Sequence, residues 1–587
     1  MDQRRSCFTI VTLTPQIVTF GCLAAFAPLA FGDEPAPEMR FEDLEAHRVV
    51  SEHGVVAADH RLASEAGAEA LAAGGNAADA GVVALLALGV ANPFGSGLGG
   101  GGFCLYRGAD QDETAVIDFR ETAPSAAHRD MYVVDGEVDH SLARHGGLAV
   151  ATPGEAAGLW SLHGRFGRLE WEEVVEPALQ MADQGIPVGA TLATHLQSMA
   201  DTFEEWPQIA SVFQNDDGEL LAEGDLMVRD DLVRALTLLR DEGVRPFYVG
   251  EIADAIAEAA QAHGGILSAD DLAAYAVERR EPIVATFGDY EIHSMPPPSS
   301  GGIALVQALH VVAHLDLNGE RGEADYVHAV VEALKHAFAD RARWLGDTDF
   351  VDVPVDMLIS EEYAAELAAR VDGSSVLQLE DYGTVAPDPE GGGTAHLSVA
   401  DAEGNLLACT STINTRFGSM VVVPEYGIIL NNEMADFNVE PGEPNIFGLI
   451  GNEQNAVAAN KRPLSSMSPT LAFHNDQPLM TLGASGGPTI ISGVYFTLLD
   501  ILAFGLDPLD AVASPRIHHQ WVPNTLFVEV EDLSFSDELE KRGHDVEVRR
   551  AYNAVQIILR DGSQWIGVAD PRKGGIPAAP QSPNESP

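Results

Sequence analysis

The sequence predicts a loop-rich α/β enzyme, and three observations point there. Fifty-seven glycines and 33 prolines are too many for a helical bundle. Helical periodicity runs through the middle of the chain, from about Glu155 to Leu345, and a switch to short alternating strands follows at Thr394. Hydrophobic residues make up 46% and charged residues 21%, with a mean hydropathy of +0.02, so apolar material suffices for a large core and global disorder is excluded. The 587 residues suit about 3 to 4 ordinary domains or one large intertwined unit.

Charge narrows the partners. Thirty-three Lys plus Arg stand against 89 Asp plus Glu, a formal charge of −56, which repels nucleic acids and anionic membranes. Lysine occurs only at Lys335, Lys461, Lys541 and Lys573, so the surface is expected to be a carpet of hydrated carboxylates. Adaptation to salt, which screens self-repulsion, is the expected reason.

The start of the chain reads as an export signal: Arg4 and Arg5, a mainly apolar run from Ile17 to Phe31, then Ala30-Phe31-Gly32 before Asp33. Cleavage is expected near Gly32, giving a periplasmic or secreted product. A membrane anchor is the plainer alternative, disfavoured by the shortness of the run and by Pro28. Thr19 and Phe20 make a poor lipidation signal at Cys22. Cys7 and Cys22 leave with the signal, and the two remaining cysteines, Cys104 and Cys409, do not make a disulfide framework. Stability is therefore expected from the core.

Along the exported chain, apolar positions from Leu62 to Ala73, a stop at Gly74-Gly75 and a cap at Asn76 predict an αα-hairpin ending near Val90. Gly95 to Gly102 follows. Its first six residues match G-x-G-x-x-G, but here a helix precedes and the strand-like Phe103-Cys104-Leu105-Tyr106 follows, the reverse of a dinucleotide loop. Close backbone packing or an active-site wall is the favoured use. Tyr326 to Leu345 predicts an amphipathic helix whose Lys335, His336, Asp340 and Arg341 read as a solvated, ion-paired face. Asp381 to Gly393 reads as a linker.

Beyond it, Thr394 to Asp401, a turn at Ala402-Glu403-Gly404-Asn405, and Leu406 to Asn414 predict a hairpin centred on Glu403. That register sets Thr394 opposite Thr412, with Asn414 on the same face. An ordinary threonine-rich edge hairpin is the alternative. Lys461 to Pro469 reads as an extended polar loop leading into the strand Thr470 to His474. A second arm, Leu479 to Leu482, ends at Gly483-Ala484-Ser485-Gly486-Gly487. Pro488 then opens an apolar helix reaching Ala503. Paired glycines at a helix start can present bare N–H groups to an oxyanion, although a plain strand-to-helix turn also accounts for them.

These residues resemble the γ-glutamyltranspeptidase family over nearly the whole exported chain. The resemblance is carried by Gly74 to Ala77, the glycines at 95 to 102, Asp118-Phe119-Arg120-Glu121, Pro153-Gly154-Glu155, Glu332 to Ala337, Thr394 onward, Leu430 to Met434, Asp436-Phe437, the 461 to 470 block, Gly486-Gly487, His518 to Trp521 and Asp570-Pro571-Arg572. It implies an N-terminal-nucleophile hydrolase fold, a four-layer α/β/β/α sandwich made as one inactive precursor. The precursor would cut itself between Gly393 and Thr394 into a large subunit (33–393) and a small one (394–587) that stay together. It implies a γ-glutamyltransferase and glutathione hydrolase, with glutathione and other γ-glutamyl compounds as donors and amino acids or dipeptides as acceptors.

Residue by residue, the resemblance assigns the nucleophile to Thr394, a supporting hydrogen bond to Thr412 and the oxyanion donors to Gly486 and Gly487. The donor's α-carboxylate falls to Arg120, Ser465 and Ser466, and its α-ammonium to Asn414, Glu433 and Asp436. Pro441 to Asn452 resembles a lid loop with Phe447 as its aromatic gate. The chemistry agrees: a threonine hydroxyl needs an adjoining base, and a freed α-amine with pKa about 7.7 to 8.0 is one. Ala395 and Leu397 depart from the family pattern, as does Pro488 after the paired glycines. No cofactor is expected, and no metal: His518 and His519, adjacent on a strand, would point oppositely. Two rival functions remain: a glutaryl or cephalosporin acylase of the same family, and a non-maturing periplasmic binding protein.

Overall fold

The computed structural model describes residues 43–315, 321–383, 393–440, 442–443, 445–529, 535–549 and 553–581. The expected export signal and the stretch 384–392 of the linker lie outside the described residues.

Two antiparallel sheets form the centre. One has six strands, in the order Gly54–Ala58, Ala395–Asp401, Leu406–Thr412, Gly101–Arg107, Ala115–Phe119 and Glu278–Arg280. The other has seven: Arg48–Ser51, Gln564–Ala569, Ala554–Asp561, Gln477–Ser485, Thr470–His474, Tyr290–Ser294 and Ile283–Phe287. Side-chain alternation in the six-stranded sheet divides the core. Ala395, Leu397 and Val399 pack with the helix Ala77–Ala91. Ala400, Leu406 and Ala408 join the cluster that holds the seven-stranded sheet and the helices Gly301–Ala313, Ala324–Trp344 and Thr489–Leu502. Period-two strands buried on both faces thus give the expected helix, sheet, sheet, helix layering. Thr481 Oγ donates to Leu407 O (2.8 Å) and Trp565 Nε1 to Asp401 O (3.0 Å), crossing from one sheet to the other.

Local signals place the elements. Asn76 accepts from Ala78 N and Asp79 N while Asp79 accepts from Asn76 N, closing a capping box at the start of Ala77–Ala91. The hairpin pairs Ala395 with Ser411 and Leu397 with Cys409, the register expected from a turn centred on Glu403. It lies inside the sheet, with Gly54–Ala58 on one side and Gly101–Arg107 on the other, so the edge-hairpin alternative fails. Strands from before and after residue 393 are therefore interleaved. The apolar helix begins at Thr489, one residue later than expected, with Pro488 as its cap.

Two expectations are corrected. Cys104 and Cys409 stand directly opposite each other on neighbouring strands, Cα atoms 4.2 Å apart, and form a disulfide. A count of two thiols hides this because the ladder, not sequence proximity, brings together residues 305 apart. The polar face of Ala324–Trp344 is also not solvated. Lys335, His336, Asp340 and Arg341 are all buried, because the helix is covered on that side too. Lys335 pairs with Glu332 (3.0 Å), and Asp340 accepts from Gln307 Nε2 (2.8 Å) and Tyr363 OH (2.9 Å).

Candidate active site

Thr394 sits immediately before the strand Ala395–Asp401, at the end of a central strand of the six-stranded sheet. Its Oγ is 2.7 Å from Gly393 O and 3.4 Å from Thr412 Oγ. Thr412 Oγ also donates to Gly393 O (2.9 Å), and accepts from Asn414 N (2.8 Å). Two hydroxyls therefore converge on one peptide carbonyl. Gly393 N donates to Asn414 O (2.8 Å), which fixes the other end of the same residue.

The glycine-rich segment forms the wall behind these groups. A Cβ on Gly100 would stand 2.0 Å from Thr412 O, and one on Gly95 would stand 3.3 Å from Thr394 O. Only bare backbone reaches that close, which is the packing use favoured over phosphate binding.

One cavity gathers the residues singled out in the sequence: Thr394, Thr412, Asn414, Arg120, Glu433, Asp436, Ser465, Ser466 and Gly487. Phe447 and Pro488 line it as well. Gly487 takes φ +58°, in the left-handed region, and a Cβ there would lie 3.4 Å from the Phe447 ring. Gly486 precedes it at the end of the strand Gln477–Ser485, and Thr489 Oγ donates to Gly486 O (2.7 Å). The turn thus stands just ahead of a 14-residue helix. Gln520 Nε2 donates to Phe447 O (3.1 Å), tying the 445–449 turn to the 518–521 block.

The charged groups are paired with each other. Arg120 Nη1 donates to Glu433 and Nη2 to Asp436, while Nε donates to Pro463 O (3.1 Å). Burial works against the Arg120 charge, but Glu433, Asp436 and Glu121 outweigh it and hold the guanidinium protonated. Burial pushes Glu433 and Asp436 above the usual carboxylate range against the pull of Arg120. Glu433 Oε2 is buried with no hydrogen-bond partner among the described residues, an acceptor that a cation would satisfy. Asn414 Nδ2 donates to Asn432 O (2.9 Å), and Ser465 Oγ accepts from Met467 N (3.1 Å).

Behind Arg120 lie two more buried acids. Burial raises Glu121 to about 8 against the attraction of Arg120, and raises Glu155 to about 8 although Ser411 Oγ donates to it (3.0 Å).

Two residues of this region escape sequence reasoning. Lys573 Nζ donates to Thr394 O, and contacts Ser485 Oγ (2.8 Å) and Asp59 Oδ2 (2.7 Å). A lysine kept beside Asp570-Pro571-Arg572 in a chain with only four was the available signal. Arg341 lines the cavity with Arg120, although helical periodicity assigns it to solvent.

Among the described residues one group, His328, Glu332 and His544, is compact enough to hold an ion. Most of its ligand atoms are already engaged: His328 Nδ1 with His544 Nε2 (2.8 Å), His328 Nε2 with Asp372 O (2.8 Å), and Glu332 with Lys335 Nζ and Tyr382 OH, while His544 Nδ1 has no partner among the described residues. An ammonium beside the carboxylate opposes a second cation.

Comparison with known proteins finds similar chains. A family model described as Gamma-glutamyltranspeptidase matches residues 63–579. Glutathione hydrolase proenzyme of Escherichia coli (strain K12) is 39% identical over 551 residues, covering 92% of this chain and 94% of that protein. Glutathione hydrolase 2 of Arabidopsis thaliana is 36% identical, covering 90% of this chain and 94% of that protein. Among solved structures, cephalosporin acylase from Bacillus halodurans has a TM-score of 0.82 at 27% identity, over 95% of this chain and 100% of that one. Helicobacter pylori γ-glutamyltranspeptidase has a TM-score of 0.53 at 36% identity, over 54% of this chain and 91% of that one. A threonine at the start of a central strand, within one cavity with an arginine–carboxylate cluster, and a match across nearly the whole length lead to one statement: the chain belongs to the γ-glutamyltranspeptidase family, with its N-terminal-nucleophile hydrolase fold.

Proposed function

We propose that the protein is an exported γ-glutamyltransferase and glutathione hydrolase that matures by cutting itself between Gly393 and Thr394. The observation that carries this reading is the convergence of Thr394 Oγ and Thr412 Oγ on the Gly393 carbonyl, at 2.7 and 2.9 Å, inside the cavity that holds the charged cluster.

Maturation starts with attack of Thr394 Oγ on the Gly393 carbonyl carbon. Negative charge develops on Gly393 O, where the Thr412 hydroxyl donates. Collapse breaks the Gly393–Thr394 C–N bond, the departing nitrogen takes the proton that Oγ gives up, and an ester on Oγ and a free Thr394 α-amine result. Water hydrolyses the ester. The new amine, with an ordinary pKa of about 7.7 to 8.0, is then the base for the hydroxyl on its own residue.

In turnover, Thr394 Oγ attacks the γ-carbonyl of a γ-glutamyl amide, passing its proton to the α-amine. Gly486 and Gly487 N–H groups hold the oxyanion at the start of the helix Thr489–Leu502. The substrate's leaving amine takes that proton back from the Thr394 α-ammonium and departs, and a γ-glutamyl ester remains on Thr394. Water releases glutamate; an amino acid or dipeptide amine takes the acyl group instead. Glutathione is the expected donor. A free glutamyl end is a zwitterion, and the cluster offers it both charges: Arg120, Ser465 and Ser466 for the carboxylate, Asn414, Glu433 and Asp436 for the ammonium.

The glutaryl or cephalosporin acylase reading shares the nucleophile. A glutaryl chain lacks the ammonium, and would leave the buried Glu433 Oε2 unpartnered. The acids favour γ-glutamyl. Among the described residues no helix is long and apolar enough to cross a membrane, which is compatible with release into the periplasm or medium.

The test is N-terminal sequencing of purified protein on a reducing gel, with turnover of γ-glutamyl-p-nitroanilide against a glutaryl amide. Two bands, the smaller starting at Thr394, and preference for the γ-glutamyl donor are expected. One intact band with full turnover overturns the self-cleaving mechanism, and one intact band with glutamate affinity alone supports the binding-protein rival.

A further inference from the structure

The cavity holds a second guanidinium. Arg341, near the end of the helix Ala324–Trp344, is 4% exposed and lines the cavity with Thr394. Each terminal nitrogen of Arg120 already donates one hydrogen bond to an acid, Glu433 or Asp436. Arg341 makes a single hydrogen bond among the described residues, from Nε to Ser300 Oγ (3.0 Å). Both its terminal nitrogens thus lack a protein acceptor there, and burial lowers its pKa to about 10 against the pull of Asp436. A buried cation with unmatched donors is costly unless an anion meets it.

The position says which anion. Ser300, the partner of Arg341, donates from Oγ (2.7 Å) and from N (2.8 Å) to Ser465 O. Arg341 is therefore braced against the serine wall, not against the oxyanion turn. The acids around Arg120 point the same way. Glu433, Asp436 and Glu121 against Arg120 alone leave the cluster rich in acid, which disfavours a donor carrying a carboxylate, and Arg341 offsets part of that excess.

Resting on the γ-glutamyl reading above, we propose that Arg341 is a specificity-determining residue that binds the α-carboxylate of the acyl donor together with Arg120, Ser465 and Ser466. A planar fork with two free edges fits a carboxylate bidentately. A contact to the α-carboxylate is made alike in the ground state and the transition state, so its loss falls on donor affinity more than on the chemical step.

The experiment compares wild type with Arg341→Gln and Arg341→Lys on two donors: γ-glutamyl-p-nitroanilide, and the same compound with its α-carboxylate converted to a carboxamide. Arg341→Gln is expected to raise KM for the carboxylate donor by about 10- to 100-fold, with kcat changed far less and KM for the carboxamide donor nearly unmoved. Arg341→Lys, which keeps the charge but not the fork, is expected to fall between. An unchanged KM, or an equal rise for both donors, overturns the proposal. If Arg341→Gln does not fold, the same comparison on Arg341→Lys decides. L-Glutamate affinity by calorimetry needs no turnover: should wild type turn over neither donor, the functional reading fails, and Arg341 is still judged by whether its substitution weakens glutamate binding about 10-fold or leaves it unchanged.

Discussion

Cys104 and Cys409 form a disulfide across neighbouring strands, and they stand on opposite sides of the Gly393–Thr394 bond in sequence. If that bond is cut, the two products remain covalently joined. A single band on a non-reducing gel is then expected from fully matured protein, and two bands after reduction. Cys409→Ser should give two bands in both lanes and lower stability by about 2 to 4 kcal/mol, measured by urea unfolding. Two bands without reductant from wild type purified from an oxidising compartment would remove the tether.

Thr412 donates to the carbonyl that Thr394 is proposed to attack. Thr412→Val keeps the shape and removes the hydroxyl. Maturation of this variant, followed as the time course of precursor on reducing gels, should slow by about 10² to 10³, the usual effect of losing one oxyanion donor. Thr394→Ala should stay uncut altogether. Cutting of Thr412→Val at the wild-type rate would mean that another group holds the Gly393 oxyanion.

The hairpin that carries these threonines was legible because it is local. A polar turn at 402–405 and a strand period of two set Thr394 opposite Thr412, and the ladder between Ala395 and Ser411 has that register. The seven-stranded sheet was only partly legible: Thr470–His474 was readable as a strand, but its pairing with Tyr290–Ser294 joins segments far apart in sequence. Arg341, Lys335 and Cys104 were misread for a related reason. A charged stripe on a helix means solvent unless another layer covers it, and two cysteines mean thiols unless a ladder aligns them. Both conditions belong to the tertiary structure.

Glu155 gives the protein a pH dependence whose sign can be worked out. Burial raises its folded-state pKa from 4.5 to about 8, with Ser411 Oγ partly opposing. The folded state therefore binds the proton more tightly. Its contribution is fully present below about pH 4.5 and is lost as pH rises through about 8, at roughly 1.4 kcal/mol per pH unit for one proton. Glu155→Gln stays neutral in both states and can still accept from Ser411. The variant should lose less stability than wild type between pH 5 and pH 8 in urea unfolding. Parallel curves for the two proteins would show that Glu155 is ionised in the fold.

The lysines sharpen the expectation about salt. Lys335 and Lys461 are buried, and Lys573 is engaged beside Thr394, so of four lysines Lys541 alone has a largely exposed side chain, at 70%. The interior therefore uses lysine for specific contacts, and the surface opposes its acids almost entirely with arginine. Exposed pairs such as Arg168–Glu403 weaken in salt. With 89 acidic against 33 basic residues, repulsion among unpaired carboxylates is the larger effect, and screening favours the folded state. Tm should rise between dilute buffer and molar potassium chloride. Chloride is the appropriate anion, because sulfate strengthens apolar burial in any protein. A Tm that is equal in the two buffers, or lower in salt, would show that the acidic surface contributes no net repulsion.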